Sequence, residues 1–324
     1  MQVIKSDYIL LRPHYHSDVD VSRLVLGTAG LGGAWSPVDP VESVATILKA
    51  LESGITRLDT APAYAQAEVI VGKALRKWNA FHGGALPFVS TKVGKLEGDA
   101  LDDNLNNYER AVMENSVAQS LERLGRTSLD LLFLHEPEKV PAHRVEAVVA
   151  FMLEQKQAGR AQAIGFGGTP PPVYHRYIEA GGFDVVMGYN NLDAANLDAL
   201  QFDIPFFKKC GLTTYQGSAL HMGLLGNRFA RYQQEKPDWI SDAELARAYQ
   251  AQRVADKYGL PLSTLAHRYV LSIREIDYVV IGPRTMEHLT KTLADFQQGP
   301  LPEEIFDELT SKIYDNSPSN QAAG

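Results

Sequence analysis

Leu129-Asp130-Leu131-Leu132-Phe133-Leu134-His135 is an apolar run closed by a histidine, followed by a helical pattern over Arg144 to Gln157 and a second apolar run, Ala161 to Phe166. Strands this apolar are buried on both faces, and strand, crossover helix and parallel strand make a right-handed β-α-β unit. Outward from it the unit repeats. Apolar, β-rich runs precede it at Arg23 to Gly27, Ile55 to Asp59 and Phe88 to Lys92, and follow it at Phe183 to Tyr189, Leu212 to Gln216 and Ile276 to Ile281. Helical patterns lie between them at Pro40 to Glu52, Gln66 to Trp78, Asn107 to Leu124 and Asp242 to Tyr258, the last entered by Ser241 as N-cap. Strands alternating with helices in this number close into a barrel. The expected fold is therefore α/β, a (β/α)8 TIM barrel in one domain over residues 1–316, with a disordered tail over 317–324.

A doubly wound sheet is the rival fold. The turn after the first run, Gly27-Thr28-Ala29-Gly30-Leu31-Gly32-Gly33, lacks the G-x-G-x-x-G order and the acidic residue that should follow it. The tract from Met222 to Asp238 has no clean period and reads as a long loop after the seventh strand.

The formal charge of -8 is spread without blocks, which argues against nucleic acid or an anionic membrane as partner and leaves small molecules. The one cysteine, Cys210, cannot pair within the chain, and no stretch is apolar for long enough to span a bilayer. A reducing, cytoplasmic location follows, with a monomer or small homo-oligomer expected.

In a barrel the strand ends meet on one face, so polar residues far apart in sequence converge there. The second, third and fourth strands end in Asp59, Lys92 and His135, and Tyr64 follows Asp59 by one short turn. Singly, each has a structural reading: an N-cap for the aspartate, a solvated group for the lysine or histidine. Together they cost too much to bury unless their proton affinities are in use. A free tyrosine has a pKa of about 10, and an adjacent ammonium stabilises its phenolate. Lys92 is expected to supply that charge and lower the Tyr64 pKa, Asp59 to hold Lys92, and His135 to hydrogen-bond the substrate oxygen. Neither a serine or cysteine nucleophile nor a metal-ligand cluster accompanies them. Proton transfer without either suits hydride chemistry.

These residues resemble the aldo-keto reductase superfamily. Gly54-Ile55-Thr56-Arg57-Leu58-Asp59-Thr60-Ala61-Pro62-Ala63-Tyr64-Ala65-Gln66-Ala67-Glu68 with Val71-Gly72-Lys73-Ala74-Leu75 is similar to its signature, and Ser90-Thr91-Lys92-Val93 and Asp130 to His135 are similar to its next two motifs. The resemblance covers about Ser22 to Phe296 and implies a catalytic tetrad of Asp59, Tyr64, Lys92 and His135 with NAD or NADP as cofactor. It implies cofactor contacts from Gly27, Thr28, Asp59, Gly167, Gly168, Ser218, Leu220, Gly282, Arg284, His288 and Thr292, with His135 in the substrate pocket; their loop positions add Trp35, which packing would equally explain, and His221, for which a solvated or backbone-bonded ring is the plainer reading. The family's usual Ser-Asn after strand five is Gly167-Gly168 here, its stacking tyrosine before the seventh loop is missing, and its Lys, Arg and Asn for a 2′-phosphate are Gly282, His288 and Thr292. NAD is thus as plausible as NADP, with Arg284 able to serve either. Met222-Gly223-Leu224-Leu225 resembles the branch of L-galactose dehydrogenase and the aldose (fucose-type) dehydrogenases, which implies lactone-forming oxidation of a sugar-like carbinol. Tyr189 and Asn190 are weaker pocket candidates. Alternatives are an NADPH-dependent aldehyde or ketone reductase with the same tetrad, a non-catalytic regulatory barrel, and a Schiff-base lyase on Lys92.

Overall fold

In the computed structural model, which describes residues 12–17, 20–96 and 105–315, eight short strands pair edge to edge, each parallel to its neighbours in chain order, until the last meets the first. They are β1 (Leu24–Gly27), β2 (Arg57–Asp59), β3 (Phe88–Val93), β4 (Leu129–His135), β5 (Ala161–Gly167), β6 (Val185–Tyr189), β7 (Thr213–Gly217) and β8 (Tyr278–Ile281). After β1 come α1 (Ala29–Gly32) and α2 (Pro40–Glu52); α3 (Ala67–His82), α4 (Arg110–Leu124), α5 (Val145–Gln157), α6 (His175–Glu179) and α7 (Asp203–Lys209) then follow β2 to β6 one by one. Past β7 lie α8 (Phe229–Gln234), α9 (Asp242–Lys257) and α10 (Leu262–Leu271), and past β8 lie α11 (Met286–Gln297) and α12 (Glu303–Asp315). The expected tail over 317–324 lies outside the described residues.

Two apolar layers hold the barrel. Side chains pointing out from the strands pack under the helices in one continuous core that includes Leu26, Leu132, Phe166 and Val186. Those pointing in form a smaller cluster of Val25, Leu131, Phe133, Val185, Met187 and Tyr215. Below it, at the strand starts, the Arg57 guanidinium lies 4.2 Å from the Phe88 ring centre and 4.5 Å from that of Tyr278, and donates to the Tyr215 hydroxyl at 3.4 Å. This end is filled by the Arg57 guanidinium set among tilted aromatic rings, and the polar strand ends lie at the opposite end.

Helix α9 begins as expected: Ser241 accepts from the Glu244 amide and Glu244 accepts from the Ser241 amide, a complete capping box. The tract from Met222 to Asp238 departs from the loop expectation. It contains α8, whose six residues are too few to display a period but which buries Phe229 and Tyr232, three residues apart, against the outer core.

Candidate active site

Asp59 ends β2, Lys92 is the last residue but one of the neighbouring β3, and they are 3% and 2% exposed. Lys92 Nζ donates to Asp59 Oδ2 at 2.6 Å and to the Thr60 carbonyl at 3.0 Å, while Ser90 Oγ donates to Asp59 Oδ1 at 2.7 Å. The backbone and hydroxyl of Thr28 both donate to the Asp59 carbonyl at 2.9 Å, so the carboxylate is fixed from its main chain outward. Tyr64 sits in a tight turn whose own carbonyl accepts from Ala67 N and whose amide donates to Ala61 O. Its ring centre is 4.7 Å from Lys92 Nζ and meets the His135 ring edge-on at 5.8 Å. All four tetrad candidates thus share one end of the barrel.

Burial alone would push the Lys92 ammonium down, but the Asp59 carboxylate and the Tyr64 phenol outweigh it and hold it above the ordinary lysine range. The Tyr64 phenol moves the other way from expectation. Burial raises it, and the pull of Lys92 only partly offsets that rise, with Asp59 and Glu136 adding to it. The expected net lowering does not hold because the phenolate loses more from leaving water than one already paired ammonium returns. His135 is held well below its ordinary value by burial, then by Lys92 and Lys95, so its ring is neutral. Its Nδ1 is enclosed without a partner. A doubly protonated ring would bury an unsatisfied N–H there, so the one proton belongs on Nε2.

The other half of the mouth is bare backbone. Strand β1 ends in Gly27, β5 in Gly167 with Gly168 next, β7 in Gly217, and Gly282 follows β8. A Cβ at Gly282 would meet nothing within 4 Å, and at Gly217 nothing nearer than 3.6 Å. Glycines at strand ends let a ligand approach the main chain closely, which suits a flat nicotinamide and its pyrophosphate. Arg284 lies at the entrance to α11, whose Thr285 N-cap already accepts from His288 N. A helix start beside a guanidinium is an anion site, and the residues present fit a dinucleotide. One Arg284 nitrogen donates to Ser36 Oγ, and the exposed Trp35 ring shares the face of Gly30 with Arg284. Trp35 therefore flanks the glycine half. His288 is exposed, whereas Thr292, one turn further, is largely buried. Ser218 and Leu220 are both half-buried in the turn leaving β7, Ser218 with a φ of 58°.

Two expected contacts are corrected. The Thr28 side chain is fully buried on Asp59 O, so this residue offers a ligand no free hydroxyl. His221, expected in the substrate pocket, is 1% exposed and donates Nδ1 to Asp193 Oδ2 at 2.7 Å, with Nε2 3.6 Å from Glu244 Oε1 and Trp239 stacked on its ring at 6.1 Å. Asp193, between β6 and α7, and Glu244, in the first turn of α9, engage both ring nitrogens, so the ring presents neither to a substrate. Burial would lower its pKa, yet Asp193 and then Glu244 raise it above the ordinary histidine range. A raised folded value means that its stabilisation is complete below a pH of about 6.5 and is lost as pH climbs through the folded value. The melting-temperature gap between the parent and His221→Gln should narrow as pH rises above about 6.5. A gap independent of pH would show that the ring is never charged.

Lys95 and Glu136 reach the same end of the barrel although the motifs did not single them out. The only signal available was adjacency, Glu136 to His135 and Lys95 to the Lys92 strand end. Tyr189 is 46% exposed on the rim, its hydroxyl 3.4 Å from Glu138 Oε1, with Asn190 beside it in a left-handed conformation.

A glycine-floored mouth facing a half-buried tyrosine and a buried lysine, aspartate and histidine defines a nicotinamide-dependent oxidoreductase on a (β/α)8 barrel. The chain belongs to the Aldo/keto reductase family, whose model matches residues 23–314, and it is an NAD(P)-dependent oxidoreductase. It is 29% identical over 293 residues to D-arabinose 1-dehydrogenase of Saccharomyces cerevisiae, covering 86% of this chain and 83% of that protein. It is 28% identical over 306 residues to NADH-specific methylglyoxal reductase of Escherichia coli, covering 86% and 90%. In fold it is similar to the glycerol dehydrogenase of Gluconobacter oxydans, with a TM-score of 0.71, 24% identity and 97% of each chain covered. No helix among the described residues is long and apolar enough to cross a membrane.

Proposed function

We propose that this chain oxidises a sugar-like carbinol to a lactone in the cytoplasm, with Tyr64 as the proton-transfer residue. The observation that carries the reading is the line Asp59–Lys92–Tyr64, closed by a 2.6 Å ion pair, facing a neutral His135. A nicotinamide cofactor, held by the glycine half of the mouth and Arg284, would supply the hydride acceptor for the carbinol carbon. His135 Nε2 donates to the substrate oxygen and orients it, and Tyr64 takes the hydroxyl proton as the carbonyl forms. Lys92 stays charged and steadies the negative charge that develops on the phenol oxygen. The engagement of Lys92 by Asp59 and Thr60 O disfavours a Schiff base, which needs a neutral amine. A rim carrying Glu138, Tyr189 and Asn190 suits a hydroxyl-rich substrate, and similarity to D-arabinose 1-dehydrogenase supports a sugar. Reduction of an aldehyde is the second reading, supported by similarity to methylglyoxal reductase.

Fluorescence titration with NADH and NADPH, then a screen of aldoses for NAD(P)H formation and lactone, tests the reading. Micromolar binding of a reduced cofactor with aldose-dependent turnover is expected. Tight cofactor binding with turnover only of aldehydes, in the reducing direction, would replace it with the second reading.

A further inference from the structure

Lys95 stands two residues past β3 and is 1% exposed, although no tetrad residue bonds it. Its Nζ donates at 2.8 Å to Oε1 of Glu136, the residue after His135, and Asn106 Nδ2 donates to the second carboxylate oxygen at 3.0 Å. The Tyr108 hydroxyl donates to the carbonyls of both His135 and Glu136, at 3.1 and 3.0 Å. Gly94, with a φ of 107°, makes room for that ring, since a Cβ there would lie 2.5 Å from it. The backbone of Glu136 is left-handed, with φ 49° and ψ 61°. A residue with a Cβ keeps that conformation only where its surroundings impose it. Here both carboxylate oxygens and the carbonyls on both sides of the corner are held.

A buried ion pair is seldom the most stable choice for its volume, because desolvation offsets the attraction. Its place directly behind the ring that faces the substrate suggests another use. We propose that Lys95 and Glu136 are positioning residues: the pair locks the left-handed corner that aims His135, and its enclosed ammonium stands beside that imidazole as a second buried cation after Lys92. The inference rests on the reading of His135 as the group that holds the substrate oxygen. Lys92, paired with Asp59, and the Tyr64 phenol face the ring from the neighbouring elements, Lys95 faces it from the turn after β3, and Glu136 and Glu138 lie on its own loop. Lys95 and Lys92 both oppose its protonation, and the enclosed, unpartnered Nδ1 adds a steric reason.

The double variant Lys95→Met/Glu136→Gln removes both charges and leaves none buried alone. Histidine labelled with an NMR-active isotope, with the His135 signal assigned through His135→Asn, reports the titration of this ring directly. The His135 titration should move up toward the ordinary imidazole range, and the acid limb of kcat/KM should move with it. Turnover should fall about 10-fold, while the NADPH dissociation constant stays within about twofold, since orientation of the substrate oxygen is what is lost. Lys95→Arg should restore the low titration. Glu136→Gln, which keeps the ammonium but frees the corner, should lose turnover without raising the titration. A His135 titration and acid limb unmoved in the double variant would overturn the proposal. If the parent oxidises no aldose, the functional reading fails on its own, and the histidine titration still decides this one.

Discussion

Tyr64→Phe is expected to bind NADPH with the parent's affinity and to turn over about 100-fold more slowly or worse, the scale of a positioned acid or base. The ring packs edge-on against His135 and its centre lies 4.7 Å from the Lys92 ammonium, contacts that phenylalanine retains. Only the hydroxyl that exchanges a proton with the substrate disappears. Steady-state kinetics beside a fluorescence titration separate the two effects, and a variant with the parent's kcat would remove Tyr64 from the chemistry. The raised phenol adds a direction to the pH profile. Oxidation needs the deprotonated form, so its rate should keep climbing from neutral into alkaline solution, while reduction, which needs the proton, should be flat across neutrality.

How far the chain could be read without coordinates depended on whether the deciding contact was local. Strand β4 and helix α2 fall on the residues their patterns mark, because a long apolar run and an Asp39-Pro40 start are complete signals in themselves. The starts of β6 and β8 come later than their apolar runs. Phe183 stacks on Phe166 and Ile276 is buried in the outer core, so both are apolar for reasons other than strand pairing. The same distinction divides the signature. Asp59 and Tyr64 reach the mouth, but Glu68 accepts from Thr91 and Arg123 behind the strands, and a Cβ at Gly72 would fall 2.0 Å from the Arg123 carbonyl. Part of the motif that carries the resemblance is therefore helix packing. For His221 the chain places its loop above the barrel, but the ring's partners are Asp193 and Glu244, each more than 20 residues away in sequence. The direction of the Tyr64 shift was likewise hidden, since enclosure by the whole barrel end competes with one lysine that the sequence does show.

The Asp59–Lys92 pair separates the stability of the site from its chemistry more sharply than any single residue. Both side chains are nearly inaccessible and bonded at 2.6 Å, so removing either strands the other charge out of water. Asp59→Asn and Lys92→Met should each lower unfolding stability by about 3–5 kcal/mol, the usual cost of breaking a buried pair from one side. The double variant leaves neither charge, so most of that loss should be recovered, and a double-mutant cycle in urea should show strong coupling between the two sites. Turnover should not return with stability. The phenol would then sit in an enclosed site with no ammonium to offset its desolvation, and its proton would be harder still to remove. Single variants as stable as the parent would mean that water reaches the pair. A double variant that regained activity would mean that Tyr64 needs no ammonium beside it, and the proton-transfer reading would go with it.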